Sequence, residues 1–411
     1  MTFENIDIVT WIAAGVLAAC FLFQLYWYAR YMAAPARKIR RDKANVQRNN
    51  VPCTKDELPP VSVILCAHNE SENLSNYLQA LLSQDYPEFE VIVVDDGSED
   101  DTRQVIEQYM AYDNRLRKTF VPYGARVRST KKLALTLAAK AARYDYLLLT
   151  DADCRPESKY WISEMVKGFR KTKDPRNDQM VNDQMVNDIV LGFGAYFYEK
   201  GHVNRLVRYD TLFNGLHYLG AALCGHPYMG VGRNLAYRKS LFFDSGGFTH
   251  LMTNRAGDDD LFVNHVATRK NTAVVVSRES LTWSPAKETL REWLQQKRRH
   301  LSVSPLYRES TKARLTVEPV TRGLFYAALL VMVIRYCLGW SGWAFGAAEI
   351  IACGAVGLFL FRWILQTAVI NISARRMGLH RFNMLSVLWF DIVLPLVSAW
   401  MLIVPKKNNK W

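Results

Sequence analysis

A run of twenty residues without a charged side chain, Ile8–Trp27, limits what this chain can fold into more than any other feature. As an α-helix the run would be about 30 Å long, which matches the hydrocarbon core of a bilayer. Glu4 and Asp7 are the only charged residues before it, so it lacks the basic start of a cleavable signal peptide. A basic cluster at 37–43 follows directly. The positive-inside rule then predicts an outside N-terminus and a cytoplasmic segment after the run, and a buried helix of a soluble core is the alternative.

The C-terminal part of the chain, residues 323–405, is again mostly apolar. It predicts three further spans, near 320–340, 346–371 and 384–404. Charged residues fall within these spans, namely Arg335, Glu349, Arg362 and Asp391. Because charges are costly in lipid, we expect them to face the helix bundle or a polar cavity. A total of four spans would place the basic tail 406–411 outside, which conflicts with the charge rule.

The net charge of +13 would suggest a nucleic-acid partner if it lay on the soluble part of the chain. Residues 49–285, however, contain 28 basic and 30 acidic side chains, a net charge of −2. The excess positive charge flanks the apolar runs, at 30–48, 287–323, 375–382 and 406–411. We therefore expect these residues to orient the chain and to contact anionic lipid headgroups, and we expect no nucleic-acid partner.

The segment between the apolar regions has the pattern of an α/β protein. Short apolar runs predict buried strands at 61–65, 91–94, 146–149 and 189–193. Helices are predicted at 73–82, 101–110 and 132–142. The alternation predicts a mostly parallel sheet with helices on both faces. Ligands bind at the carboxyl ends of the strands in such sheets.

Acidic residues follow two of the predicted strands at the point where each strand ends. Asp95 and Asp96 follow the second strand, and Asp151 and Asp153 follow the third. Two carboxylates separated by one residue suit a hard divalent cation that is shared with substrate phosphates. An Asp-x-Asp pair is common by chance, but its position after a buried strand makes it a candidate metal site.

Residues 60–305 resemble a family 2 glycosyltransferase with the GT-A fold. The resemblance is carried by PVSVILCAHNE at 60–70, VVDDGSEDDT at 93–102, KKLALT at 131–136, LLLTDADC at 147–154, the segments 232–237 and 245–248, GDDDL at 257–261 and QKRRH at 296–300. The last segment resembles the QxxRW motif of membrane polysaccharide synthases. His300 stands where the motif has Trp, and Thr136 stands where the family more often has Asn.

This resemblance implies a nucleotide-sugar donor site on the first four motifs and the last. The implied donor-binding residues are Asn69, Glu70, Asp95, Asp96, Lys131, Asp151, Ala152, Asp153, Gln296, Arg299 and His300. Asp151 and Asp153 would hold Mg²⁺ or Mn²⁺ on the diphosphate. One of Asp95 and Asp96 could serve only to stabilise a turn, and Lys131 could be a plain solvated lysine.

The resemblance also implies an inverting transfer to an acceptor hydroxyl, which requires a general base. Asp259 is the first choice, and Asp258 or Asp260 could hold the same function because the three acids are adjacent. Arg299 would stabilise the departing diphosphate. The segment around 293–300 has the pattern of an amphipathic helix on a membrane surface. His300 leaves both the acceptor type and processivity open.

We therefore predict an integral membrane glycosyltransferase of a bacterial inner membrane, with its catalytic domain in the cytoplasm. The predicted parts are a transmembrane helix at 1–31, a basic linker at 32–58, a GT-A domain at 59–285, interface helices at 286–318 and a transmembrane region at 319–411. The expected donor is a UDP-linked sugar, and the expected acceptor is a lipid-linked or growing glycan. The alternatives are a processive synthase that secretes polymer and an inactive scaffold of an export assembly, and in each case export partners are conceivable.

Overall fold

The computed structural model describes residues 8–49, 58–122, 124, 127, 129–170, 186–252, 254, 256–339 and 347–403. These residues form two units. The helical unit comprises the described parts of Met1–Ala34, Arg308–Arg375 and Leu379–Trp411. The α/β unit comprises those of Pro35–Tyr307 and Arg376–Gly378. The basic tail 406–411 lies outside the described residues.

The elements follow one another in the order that the sequence predicts, with additions. The chain begins with α1 (Ile8–Trp27), a π-helical turn (Tyr28–Met32) and α2 (Ala34–Asn49). The α/β unit continues with β1 (Val61–Ala67), α3 (Ser71–Leu82), β2 (Phe89–Asp95), α4 (Thr102–Tyr112), β3 (Leu116–Phe120), α5 (Thr130–Ala141), β4 (Tyr146–Leu149), β5 (Arg155–Pro156), α6 (Trp161–Val166), β6 (Ile189–Leu191), β7 (Gly194–Tyr196), α7 (His202–Leu223), β8 (Leu235–Arg238), α8 (Lys239–Asp244), α9 (Asp260–Val266), β9 (Thr272–Val274), β10 (Thr282–Ser284) and α10 (Leu290–Leu301). The helical unit resumes with α11 (Glu309–Gly339), α12 (Ala347–Met377) and α13 (Met384–Ile403).

The main sheet has the strand order β3-β2-β1-β4-β8-β6-β9. The first four strands are mutually parallel, β8 runs antiparallel to both of its neighbours, and β9 is parallel to β6. The four predicted strands are β1, β2, β4 and β6. The predicted α/β class with a mostly parallel sheet is therefore confirmed.

Helices cover both faces of this sheet because each central strand is apolar on both sides. Val63 and Val91 pack with side chains of α3 and α6 in one buried cluster. Ile64 and Ile92 point to the opposite face, since successive side chains of a strand alternate, and both are buried. Helix α5, which contacts β1, β2 and β3, packs on that face. The carboxyl ends of β1, β2 and β4 thus form one edge of a two-sided layer.

A buried asparagine ties this sheet to a second, three-stranded sheet of order β5-β10-β7. The Asn234 amide nitrogen donates to the carbonyls of Phe193 (3.0 Å) and Ser280 (2.7 Å). Its Oδ1 accepts from the Trp161 indole (3.1 Å), and the residue has no exposed surface. The second sheet, which the sequence does not predict, is therefore fixed beside the carboxyl end of β4.

Four described helices are long and apolar enough to cross a membrane: Ile8–Asn45, Glu309–Cys337, Ile350–Met377 and Met384–Met401. This agrees with the four predicted spans, although the second begins at Glu309, earlier than expected. Leu17, Phe325 and Ala355 pack together and join α1, α11 and α12. Arg362 and Asp391 form a buried ion pair of 2.8 Å, so the expectation that charged residues of the spans face the interior is confirmed for these two. For Arg335 the expectation is wrong, because its side chain is exposed, and the side chain of Glu349 lies outside the described residues.

Replacement of Asn234 by Leu should destabilise the α/β unit. The substitution leaves the Ser280 carbonyl and the Trp161 indole N–H without partners, while the Phe193 carbonyl keeps only the Thr282 N–H at 3.5 Å. Each buried unsatisfied group costs about 1–3 kcal/mol, so we expect a loss of at least roughly 2 kcal/mol in the free energy of unfolding and a lower Tm of the detergent-solubilised protein. Asn76→Leu, on the exposed side of α3, is the control. Equal Tm values for the two variants would contradict this account.

Candidate active site

The predicted acidic residues meet at one edge of the main sheet, and a lysine joins them. Strands β2 and β4 flank β1, so Asp95 and Asp151 lie at neighbouring strand ends. Lys131, in the first turn of α5, places its Nζ 3.0 Å from Asp151 Oδ1 and 3.4 Å from Asp258 Oδ2. The lysine side chain is 43% exposed, and that of Asp151 is 31% exposed. Lys131 thus bridges two acidic motifs that are more than 100 residues apart and line an open cleft.

Asp151 and Asp153 point into this cleft, whereas Ala152 between them packs in the core. Ligand atoms of Asp151, Asp153 and Cys154 lie within 4.8 Å of one another. Although burial opposes it, the Lys131 ammonium lowers the pKa of Asp151. Burial and the Asp151 charge raise the pKa of Asp153.

The donor set at this point fits a hard divalent cation. Two carboxylates supply the oxygen ligands that Mg²⁺ and Mn²⁺ prefer. Burial, Asp153 and Asp151 raise the pKa of the Cys154 thiol well above its usual range, so the thiol stays protonated and is a weak ligand. The thiol donates to Asp153 Oδ1 at 3.4 Å instead.

The three consecutive acids at 258–260 have different environments. Asp260 is 8% exposed, and its carboxylate accepts hydrogen bonds from the Tyr307 hydroxyl (2.9 Å) and from the backbone N–H of Leu261 (2.8 Å). Asp260 is therefore fixed at the start of α9 in a structural position. Asp258 pairs with Lys131, and Asp259 Oδ2 accepts from the backbone N–H of Gly232 at 2.7 Å.

The Asp259 carboxyl titrates near neutrality. Burial is the largest cause, and the charges of Asp258 and Asp260 add to it, while Lys131 opposes them. Together they raise the pKa of Asp259 to about 7. A carboxylate with this pKa can accept a proton at neutral pH more readily than an ordinary aspartate.

The two aspartates after β2 also differ. Asp95 is buried, and its oxygens accept from the backbone N–H of Ser98 (2.9 Å) and from Arg103 (3.3 Å). Asp95 therefore stabilises the turn. The Asp96 side chain makes no hydrogen bond to another described residue, which leaves its carboxylate able to contact a ligand.

Asn69 joins the loop after β1 to the loop after β2. It has a positive φ of 56°, which asparagine tolerates better than most residues. Its Oδ1 accepts from the backbone N–H of Glu99 (2.8 Å), and its own N–H donates to Ser98 Oγ (3.1 Å). Burial raises the pKa of the neighbouring Glu70, and Asp153 adds to the rise, against a hydrogen bond from Asn73. Glu70 is thus electrostatically coupled to the predicted metal site.

The segment that carries Gln296, Arg299 and His300 forms α10, which packs against other elements of the α/β unit. Trp293 is buried, and Lys297 makes a 2.7 Å ion pair with Asp210 of α7, with side chains 11% and 13% exposed. The Gln296 amide donates to the Tyr196 hydroxyl at 3.0 Å.

Arg299 and His300 follow these contacts on the same helix and remain exposed. Desolvation by the surrounding protein atoms and the charges of Arg299 and Arg233 lower the pKa of His300 below its usual value, so its imidazole is neutral at pH 7. A neutral imidazole can both accept and donate a hydrogen bond. The predicted contact of this helix with a membrane surface stays a prediction.

Arg233 is a candidate site residue that the sequence reading did not single out. Its Nη1 donates to Ser284 Oγ (2.8 Å), and its guanidinium lies 4.2 Å from the centre of the Tyr196 ring. Its charge also contributes to the lowered pKa of Asp151. The signal was its place inside the 232–237 motif, but only the fold brings it beside the Asp-x-Asp pair.

Lys132 was also missed, because its neighbour Lys131 has the more obvious function. Lys132 is fully buried, and its ammonium donates to the carbonyls of Leu251, Asn254 and Ala256, each at 2.8 Å. These carbonyls belong to the loop that leads to the three acids. Lys131 thus reaches into the cleft, while Lys132 fixes the loop that carries the acids.

Comparison with known proteins agrees with this geometry. Residues 62–178 match the family model "Glycosyl transferase family 2", so the chain contains a family 2 glycosyltransferase domain. Over 93 residues the chain is 37% identical to a poly-beta-1,6-N-acetyl-D-glucosamine synthase of Staphylococcus epidermidis. This alignment covers 23% of the chain and 21% of the relative. Over 60 residues the chain is 50% identical to the glycosyltransferase AglE of Haloferax volcanii, and this alignment covers 14% of the chain and 20% of the relative. The aligned part is thus about a fifth of the length of each relative.

A solved structure shares the fold of the chain. It is the mannosyltransferase PcManGT from Pyrobaculum calidifontis, in complex with GDP-Man and Mn2+. The similarity has a TM-score of 0.50 at 19% identity and covers 88% of this chain and 99% of that one. The α/β unit thus has the GT-A fold that the sequence predicts.

The ion pair between Lys297 and Asp210 should fix the position of α10. Removal of one partner of a buried pair leaves an uncompensated charge, which costs roughly 3–5 kcal/mol. We expect Lys297→Met to lower the Tm and to speed amide hydrogen exchange across 290–301, and Lys297→Met with Asp210→Leu to recover most of both losses. If the double variant exchanged as fast as the single one, the pair would not be what holds the helix.

Proposed function

We propose that the chain is an inverting glycosyltransferase that moves a sugar from a nucleotide donor to an acceptor at a membrane surface. The donor is UDP-linked, and the acceptor is a lipid-linked sugar or a growing glycan. One observation carries this proposal: Lys131, Asp151, Asp153 and the acids 258–259 converge at the carboxyl end of the sheet. The family 2 domain and the fold support the same reaction class.

The donor diphosphate would lie over the Asp-x-Asp pair. Asp151 and Asp153 would hold Mg²⁺ or Mn²⁺, which when bound neutralises the charge that builds on the leaving diphosphate. Lys131 and Arg233 keep Asp151 ionised, so one ligand is always charged at neutral pH. Asp96 would bind the nucleoside, because its carboxylate faces no other described partner.

The acceptor hydroxyl would lose its proton to Asp259. The backbone N–H of Gly232 orients this carboxylate, and its pKa near 7 matches the working pH of a general base. The hydroxyl oxygen bonds to the anomeric carbon as the bond to the diphosphate breaks, so the configuration inverts. Arg299, exposed on α10, would stabilise the departing diphosphate.

Membrane attachment would place this reaction on the cytoplasmic side of a bacterial inner membrane. The basic residues after α1 support that orientation by the positive-inside rule. Arg376, near the end of α12, donates to the Ala36 carbonyl at 2.7 Å. An outside N-terminus followed by four spans would put the end of α12 and the catalytic segment on the same side of the membrane.

Donor turnover by the purified full chain tests the proposal. Nucleotide release from a panel of UDP- and GDP-sugars should depend on Mg²⁺ or Mn²⁺ and should fall at least about a hundredfold in Asp153→Ala, because the diphosphate loses a metal ligand. Asp244→Ala, an exposed acid at the end of α8 and outside the donor-site motifs, is the matched control and should retain activity. Unchanged turnover in Asp153→Ala would exclude this site and would favour the inactive-scaffold alternative.

The rate of transfer should depend on pH through Asp259. Its carboxyl accepts a proton only when ionised, so kcat/KM should fall about tenfold per unit below pH 7 and level off above it, since the pKa is about 7. Asp259→Asn should lose most activity at every pH. A wild-type profile that stays flat from pH 5.5 to 8 would assign the base to another group.

A further inference from the structure

The described helices of the helical unit are joined at their centre by polar and charged side chains. These side chains, here called the intrabundle network, are Gln24 of α1, Glu318, Arg322 and Tyr326 of α11, Arg362 and Gln366 of α12, and Asp391 of α13. All of them except Tyr326 are less than 10% exposed, and Asp391 is 1% exposed. Every one of the four candidate spans contributes at least one member.

Asp391 lies at the centre of the network and accepts from two helices. Arg322 Nη1 (3.0 Å) and the Tyr326 hydroxyl (2.6 Å) reach it from α11. Arg362 Nη1 (2.8 Å) and the Gln366 amide (2.8 Å) reach it from α12. Four donors from two neighbouring helices therefore converge on one carboxylate of the last span.

Gln24 extends the network to the first span. Its amide nitrogen donates to Thr321 Oγ1 (3.0 Å) and to the Glu318 carbonyl (3.3 Å), and its Oε1 accepts from Arg362 Nη2 (3.3 Å). Arg322 also pairs with the Glu318 carboxylate at 3.0 Å. Two guanidinium groups thus face two carboxylates, so the network carries no net charge when all four groups are ionised.

The network lies near the end of the helical unit at which α13 begins. Asp391 is seven residues beyond Met384, the first residue of α13, which corresponds to about 10 Å along the helix. With an outside N-terminus and four spans, the start of α13 would lie on the cytoplasmic side, where the proposed reaction takes place. A glycan that entered the bundle from the catalytic side would therefore meet the network early.

Among the described residues, the direct contacts across all four helices leave no separation for a saccharide at this depth. A passing chain would have to part Asp391 from both arginines and Gln24 from α11, and it would leave charges unpaired in an apolar surrounding. We propose that the bundle of one chain is closed and that the product stays on the side where it is made. A separate translocation step must then consume a membrane-bound glycan. This inference rests on the proposed function.

Product sidedness in proteoliposomes tests the inference. Purified full chain is reconstituted, radiolabelled nucleotide sugar is added outside only, and the product is then oxidised with periodate at 0 °C before or after detergent. We expect at least nine-tenths of the product to be oxidised without detergent. A product that resists periodate until detergent is added would overturn the inference and would favour a secreting synthase. Absence of labelled product in both arms would overturn the proposed function, and this inference with it.

Paired variants of the network provide a second measurement. Asp391→Leu alone leaves Arg362 without its carboxylate and should reduce the yield of folded protein. Arg362→Met with Asp391→Leu removes one charge of each sign and leaves Arg322 paired with Glu318, so it should restore most of the folding, with turnover and product size within about twofold of wild type. If the double variant folded but made a shorter product or stopped turning over, the network would act in glycan transfer, and the closed-bundle inference would be wrong.

Discussion

The candidate active site depends on the ion pairs that the Lys131 ammonium forms. This ammonium lies between Asp151 and Asp258, which come from motifs distant in sequence. Without this positive charge, the acids after β4 and those before α9 would repel one another across the cleft. The sheet brings them close because β4 lies at the centre of the layer, and the loop before α9 is fixed by Lys132. Two adjacent lysines thus serve one site, one by charge and one by hydrogen bonds to backbone.

The same arrangement gives similar residues different chemistry. Asp151 stays ionised, and the pKa values of Asp153 and Asp259 are raised. The Asp260 carboxylate accepts a hydrogen bond from the Tyr307 hydroxyl. Burial alone would raise all of their pKa values, so the difference between them comes from where the nearest cation and hydrogen-bond donor lie. The proposed metal ligand Asp151, which stays charged, and the proposed base Asp259, which titrates near neutrality, can therefore coexist in one cleft.

Much of this architecture could be predicted from the sequence, because its central strands are apolar on both faces. The strands β1, β2 and β4 and the acids that follow them are clear in the pattern. Strand β3 (Leu116–Phe120) is not clear in the pattern, since it lies at the edge of the sheet and contains charged residues between its apolar ones. Short strands such as β9, and the second sheet, lack any periodic signal. They exist because the rest of the fold supplies partners.

The choice among the three acids at 258–260 could not be predicted for the same reason. Only tertiary contacts from Gly232 and Tyr307 distinguish them. In the helical unit, the sequence indicated that Arg362 and Asp391 face inward, but not that Gln24 and Arg322 join them in the intrabundle network. The opposing charges are distributed over helices that are far apart in the chain, and their pairing depends on the packing of all four.

The pH dependence of transfer in a Lys131→Met variant, compared with wild type, tests the central claim most directly. Lys131 lowers the pKa of Asp259, against burial and two neighbouring acids. Loss of the ammonium should therefore move the acidic limb of the residual kcat/KM profile to a higher pH than in wild type, while Lys131→Arg keeps it near the original position. An acidic limb that stays in place in Lys131→Met would show that this lysine does not govern the site.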